Sequence, residues 1–141
     1  MIITDQSVLK QSSVEIEYSN KELITLIIEL LEQNLKNSKI PGVGLSAIQI
    51  GIPLQVAIVR TANLKLNLYN TKIINMRNPF IFKNEGCLSI PNIFKDTKRF
   101  NLIEIENGDG QIFKLAGYEA VVVQHELNHF KGELFLNYSI N

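Results

Sequence analysis

The sequence predicts an α+β fold: antiparallel or mixed β-sheets packed around a central helix, with another helix near the N-terminus. Three observations lead to it. Apolar residues recur at helical spacing in two well-separated stretches, and short β-prone runs fill the interval between them. The tetrapeptide Asn107-Gly108-Asp109-Gly110 is a strong hairpin turn, which makes its flanking strands antiparallel. Helices and runs of strands that are segregated along a chain favour helices laid on antiparallel sheet over alternating β-α units.

Taken in order, residues 1–18 are polar and mixed and predict an irregular arm with one extended piece at Val14–Tyr18. Ser19 followed by Glu22 has the form of a capping box. Leu23, Ile27, Leu30, Leu31 and Leu35 follow at helical spacing, so a helix with an apolar core face runs from about residue 20 to about 37, ended by Ile40-Pro41. Residues 42–51 hold three glycines and read as a loop. Leu54–Val59 predicts a central strand, and the asparagine-rich residues 60–71 a loop or an irregular hairpin. Lys72–Met76 and Phe80–Phe82 predict extended pieces broken at Asn78-Pro79, which suits an edge or a bulge. Phe100–Glu106 and Gln111–Leu115 flank the hairpin turn as strands. Gly117 or Tyr118 opens the second long helix, Gly132 sits just past its end as a C-terminal glycine should, and Phe135–Ile140 forms a short tail.

At 141 residues one domain, spanning 1–141, is expected. An apolar content of 45% fits a folded chain, not a disordered one. The 14 basic and 14 acidic residues balance, which removes any bulk electrostatic case for nucleic acid or an anionic membrane. One cysteine excludes an internal disulfide and suits a reducing compartment. No apolar run approaches a membrane span of about 20 residues, and Met1-Ile2-Ile3-Thr4-Asp5 does not open a signal peptide. A soluble, cytoplasmic protein is expected.

The chemistry centres on Gln124-His125-Glu126-Leu127-Asn128-His129. Residues four apart share a helix face, so His125 and His129 project together and both imidazoles reach one cation, with Glu126 on the neighbouring flank. Two imidazoles, a carboxylate and a divalent metal are the parts needed to make hydroxide near neutral pH and shuttle its proton. The competing reading is a surface helix that happens to carry these residues. The two histidines are the only ones in the chain, and the apolar run Ala120-Val121-Val122-Val123 before them argues for a buried helix. The central helix is therefore read as metal-binding.

Such a site needs a third protein ligand. No histidine follows His129, and Glu133, the carboxylate in the remaining tail, stands just after the helix-breaking Gly132. Cys87, in Glu85-Gly86-Cys87-Leu88-Ser89-Ile90-Pro91, carries three readings: a small core residue, a nucleophile with a histidine base, or the missing ligand. An incomplete metal site elsewhere in the chain favours the ligand. The glycine-rich stretch Gly42-Val43-Gly44-Leu45-Ser46-Ala47-Ile48-Gln49 lacks the lysine and hydroxyl of a phosphate loop; it reads as a connection, with Gln49 as a candidate amide donor.

These three motifs, in this order and spacing, resemble the peptide deformylase family over nearly the whole chain. The family pattern has alanine where Ser46 stands, proline where Ile48 stands and aspartate where Asn128 stands. None of the three is a ligand or proton carrier in that pattern, so the resemblance leaves activity in place; Asn128 removes a charge beside the metal and alters a supporting ion pair. The chain also resembles compact, phage-like members that lack a C-terminal helix.

The resemblance implies a metal-dependent hydrolase that removes the formyl group from the N-terminal formyl-methionine of new proteins and releases formate. It implies Cys87, His125 and His129 as ligands of one divalent ion, Fe2+ first, with Zn2+, Ni2+ or Co2+ in purified protein. Glu126, Gln49 and the backbone of Leu88 match the catalytic groups. Val43, Gly44, Leu45, Glu85, Gly86, Phe94, Tyr118 and Val122 fall where the substrate is held, with the peptide backbone added along Val43–Leu45. Glu85 and Arg99 match a pair that ties the cysteine loop to a neighbouring strand; two solvated surface charges are the alternative. The implied partners are formyl-methionyl nascent chains at the ribosome. Another small metallopeptidase, or a binding protein that keeps only the scaffold, are the competing functions.

Overall fold

The computed structural model describes residues 1–140. Its elements are α1 (Gln6–Leu9), α2 (Lys21–Lys36), β1 (Gly44–Ser46), β2 (Val56–Arg60), β3 (Lys65–Tyr69), β4 (Lys72–Cys87), β5 (Ile90–Glu106), β6 (Ile112–Ala116) and α3 (Gly117–Phe130). Short 3₁₀ turns stand at Ala47–Ile50 and Phe135–Tyr138. Among the described residues the strands form two antiparallel sheets, β1-β2-β3 and β4-β5-β6. The fold is α+β, as the sequence predicts.

Strand β2 shows why the layers stack as they do. Side chains alternate across a strand, so a continuous apolar run means burial on both faces. Val56 and Ile58 pack with Ile24, Ile27 and Leu31 of α2, whereas Ala57 and Val59 pack with Ala120, Val123 and Leu127 of α3. Ile103 and Ile105 of β5 close on the same helix from the second sheet. Helix α3 thus lies between the two sheets, and Ala120 to Gln124 and Glu126 to Phe130 are all buried. A helix enclosed on all sides has no solvent face to give it an amphipathic pattern.

Several expectations are corrected in detail. Helix α2 is capped by Asn20, whose side chain accepts from the Leu23 N–H at 3.2 Å; Ser19 lies one residue too early. The N-terminal arm contains α1, capped by Asp5, which is too short to show periodicity, and Val14 makes a single parallel bridge to Leu54 in place of an extended run. The glycine-rich loop is strand β1 followed by a 3₁₀ turn. Residues 65–69 are a regular strand that buries Leu66 and Leu68.

The break expected at Asn78-Pro79 does not occur: β4 runs unbroken from Lys72 to Cys87. It is an edge strand, so the N–H that proline lacks costs nothing on the open side. Asn78 takes φ of 60°, a left-handed conformation that asparagine tolerates. Strand β5 begins at Ile90, ten residues before the expected start, and only Leu88 and Ser89 separate it from β4. Gly132 terminates α3 at φ of 72°, and a Cβ there would come within 2.3 Å of the Lys10 carbonyl oxygen. The tail folds as the second 3₁₀ turn and buries Leu134 and Phe135.

Candidate metal centre and cleft

Three elements meet at the site: α3 brings His125, Glu126 and His129, the end of β4 brings Cys87, and the β1–3₁₀ segment brings Gln49. A ligand atom from each of Cys87, His125 and His129 falls within a sphere where all lie within 4.8 Å of one another. Cys87 Sγ is 3.7 Å from His129 Nε2. A thiolate and an imidazole held at about 2.3 and 2.0 Å by one tetrahedral ion stand roughly 3.5 Å apart. The spacing and the donor set therefore fit a divalent transition metal. Glu133 is elsewhere, accepting from the Tyr138 hydroxyl at 2.9 Å.

His125 is oriented from behind. Its Nδ1 is 2.7 Å from Oε2 of Glu85, which leaves Nε2 for the cation. Glu85 reaches inward because β4 shifts register on either side of it, with Asn84 at φ of 58°. Arg99 on β5 grips both Glu85 oxygens, at 2.9 and 2.6 Å, and Thr97 donates to Oε1 at 2.6 Å. Both charged side chains are almost wholly buried, 2% and 3% exposed, so the solvated-charge alternative fails. Burial by itself raises the Glu85 carboxyl, but the hydrogen bonds from His125 and Arg99 outweigh it and hold the group at about 2. Asn128 accepts from Arg99 at 2.7 Å where a second carboxylate would stand, and Tyr138 lays its ring 4.7 Å from the guanidinium.

Burial lowers His129 well below the ordinary imidazole value, and the neighbouring His125 adds to it, so the ring is neutral, as a ligand must be. At His125 burial pulls the same way, but the charge and hydrogen bond at Cys87 and the contact with Glu85 prevail and raise it. Glu126 is raised by burial. Gln49 is 1% exposed: its Oε1 accepts from the Ser46 N–H at 2.9 Å, and its Nε2 donates to Ser89 at 3.0 Å and lies 3.6 Å from the Cys87 sulfur.

A cleft of about 400 Å³ opens over this centre, lined by Val43, Gly44, Gln49, Glu85, Gly86, Cys87, Leu88, Phe94, Tyr118, Val122, His125 and Glu126. Phe94, 62% exposed, covers Gly86 from a bulge of β5, and Tyr118 sits at the start of α3. Leu45 does not line the cleft. Alternation along β1 turns its side chain into the α2 core, while Gly44 and Ser46 face Glu126. A Cβ at Gly44 would come within 2.5 Å of Oε2 of Glu126, so a side chain there would displace that carboxylate. His129 lies beneath the cleft, 1% exposed. Ser46, Ser89, Thr97 and Tyr138 join the network without having been singled out as site residues. For Ser46 the signal was its departure from the alanine of the family pattern.

The family model described as polypeptide deformylase matches residues 1–141. A peptide deformylase of Aquifex aeolicus is 33% identical, over 97% of this chain and 85% of its own. The solved structure of a probable peptide deformylase from Synechococcus phage S-SSM7 is 32% identical, covers 98% of each chain and superposes with a TM-score of 0.83. That of a peptide deformylase from Thermotoga maritima is 27% identical, covers 100% of this chain and 97% of its own, and has a TM-score of 0.84.

Proposed function

This chain belongs to the polypeptide deformylase family, and from that premise we propose how its own residues carry the reaction. The enzyme is a metal-dependent hydrolase that removes the formyl group from the N-terminal formyl-methionine of newly made proteins and releases formate. The observation that carries the reading is the convergence of Cys87, His125 and His129 beside Glu126 and Gln49 under a cleft. One catalytic domain covers residues 1–141, the span of the family match.

Cys87, His125 and His129 would hold the ion, ferrous iron in the cell, which would supply Lewis acidity that lowers the pKa of the attacking water. Glu126 takes the proton of the attacking water and returns it to the leaving amine. Burial, which raises this carboxyl, brings its affinity for the proton closer to that of the groups it serves. Negative charge develops on the formyl oxygen, and the Gln49 amide and the Leu88 backbone N–H donate to it. Gln49 is ready for this because Ser46 and Ser89 hold both ends of its amide, and its N–H toward the sulfur makes a contact of only 3.6 Å, which a developing oxyanion replaces. The Ser46 N–H on Oε1 also decides which end of the amide faces the site.

The methionine side chain enters the apolar part of the cleft between Val43, Tyr118 and Val122, and the peptide runs along the outer edge of β1, the terminal strand of its sheet. Glu85 and Gly86 form the wall beneath Phe94. The substrates are nascent chains met at the ribosome in the cytoplasm. No helix among the described residues is long and apolar enough to cross a membrane.

The direct test is formate release from formyl-Met-Ala-Ser by anaerobically purified protein whose metal is measured in the same sample. Metal-loaded, folded protein that releases no formate overturns the reading. A ferrous centre beside a thiolate is sensitive to oxygen, so activity is expected to fall in air and nickel substitution to slow the loss. Equal decay of the iron and nickel forms counts against iron.

A further inference from the structure

Ser46 touches both side chains to which the reaction assigns a role. It ends β1 and is 1% exposed. Its backbone N–H donates to Oε1 of Gln49 at 2.9 Å, a bond that any residue there would keep. Its hydroxyl is 2.9 Å from Oε1 of Glu126 and 3.2 Å from the Glu126 backbone carbonyl oxygen. Two residues earlier on the same strand face, Gly44 leaves Oε2 of Glu126 against bare backbone. The two carboxylate oxygens therefore meet different surroundings: the Ser46 hydroxyl at Oε1 and the bare Gly44 backbone beside Oε2.

Resting on the deformylase reading, we propose that Ser46 is a positioning residue for the proton carrier: its hydroxyl anchors Oε1 of Glu126 and thereby makes Oε2 the oxygen that takes and returns the proton. The terminal torsion of a glutamate is broad and roughly two-fold, so an unanchored carboxylate presents either oxygen at many angles. A hydroxyl bond to an ionised carboxylate is shorter and roughly twice as strong as one between neutral groups. Of the two acceptors within reach of the single hydroxyl proton, the carboxylate oxygen is the nearer, at 2.9 Å against 3.2 Å for the carbonyl oxygen. In the step itself the proton passes from the attacking water to Oε2, then from Oε2 to the amine nitrogen as the C–N bond breaks. Ser46 exchanges no proton.

The test compares wild type, Ser46→Ala, Glu126→Asp and the double variant in steady-state formate release. Ser46→Ala is expected to lower kcat by about tenfold, the scale of one hydrogen bond to a charged group, with KM and metal content unchanged. In the Glu126→Asp background, where the carboxylate is withdrawn by a methylene, adding Ser46→Ala is expected to change kcat by no more than about twofold. The same fold loss in both backgrounds, or a change in KM in place of kcat, overturns the proposal. A readout independent of turnover is the carboxylate stretch of Glu126 in metal-free protein with isotope-labelled glutamate, isolated as the difference from Glu126→Ala. It is expected to shift in Ser46→Ala, and an unshifted band overturns the anchor. Wild-type protein that releases no formate overturns the deformylase reading and this extension together, whereas formate release that Ser46→Ala leaves untouched overturns the extension alone.

Discussion

Replacing Glu126 with alanine is expected to lower formate release by about 10²- to 10⁴-fold, the range that a positioned acid–base group contributes, while the protein keeps its metal. The separation of the two effects follows from geometry. Glu126 is not among the three residues whose ligand atoms cluster, and its partner is the Ser46 hydroxyl, so its loss leaves the sulfur and both imidazoles where they are. The backbone of α3 is held by burial of Ala120, Val123, Leu127 and Phe130, none of which the change touches. The measurement is turnover of formyl-Met-Ala-Ser alongside metal content of the same preparation. Wild-type turnover would remove Glu126 from the mechanism; loss of metal with loss of turnover would make it a structural prop of the centre.

Glu85→Ala is expected to do the reverse, with the damage appearing in stability and metal affinity. Glu85 neutralises Arg99, orients His125 and accepts from Thr97, all within a buried cluster. Breaking a buried ion pair by removing one partner costs about 3–5 kcal/mol, because the other charge stays in the interior uncompensated. Losing the carboxylate behind a metal-ligating imidazole costs a further 10- to 100-fold in metal affinity. Asn128 sharpens the effect: it offers Arg99 a neutral carbonyl, and the Tyr138 ring offers only its face, so neither replaces the lost charge. Urea unfolding and metal titration of the variant measure the two parts. A shift in unfolding free energy below about 1 kcal/mol, the level of an exposed pair, would show that the cluster is not the closed unit its burial implies.

How far residue order alone reaches is clearest at α3. His125 and His129 are four residues apart on one helix, with Glu126 on the adjoining flank, and helical geometry is set by local bonds, so their common face follows from the sequence. The burial of that helix follows from the apolar run before it. The central strand β2 is likewise visible, because burial on both faces writes itself as an unbroken apolar stretch. Less could be read where a local signal is weak or is overridden. A four-residue helix has no period to detect, and Asn78-Pro79 points to an edge or a bulge, whereas only the sheet order shows β4 passing through it unbroken at an edge. Leu45 could be placed in the cleft from its neighbours, yet the alternation of β1 sends it to the opposite face.

From its residues, this chain sets His125 and His129 on one helix face, the α+β class and, through three motifs in order, the family to which it belongs. Folding adds the contacts between segments dozens of residues apart: the sulfur of Cys87 beside His129, Glu85 and Arg99 closed around His125, and the hydroxyl of Ser46 on Glu126. Short-range order is governed by φ, ψ and the spacing of side chains along one element, which the residue string encodes directly. Contacts across 40 or 80 positions depend on how sheets register and how layers stack, and those are settled by the whole core at once.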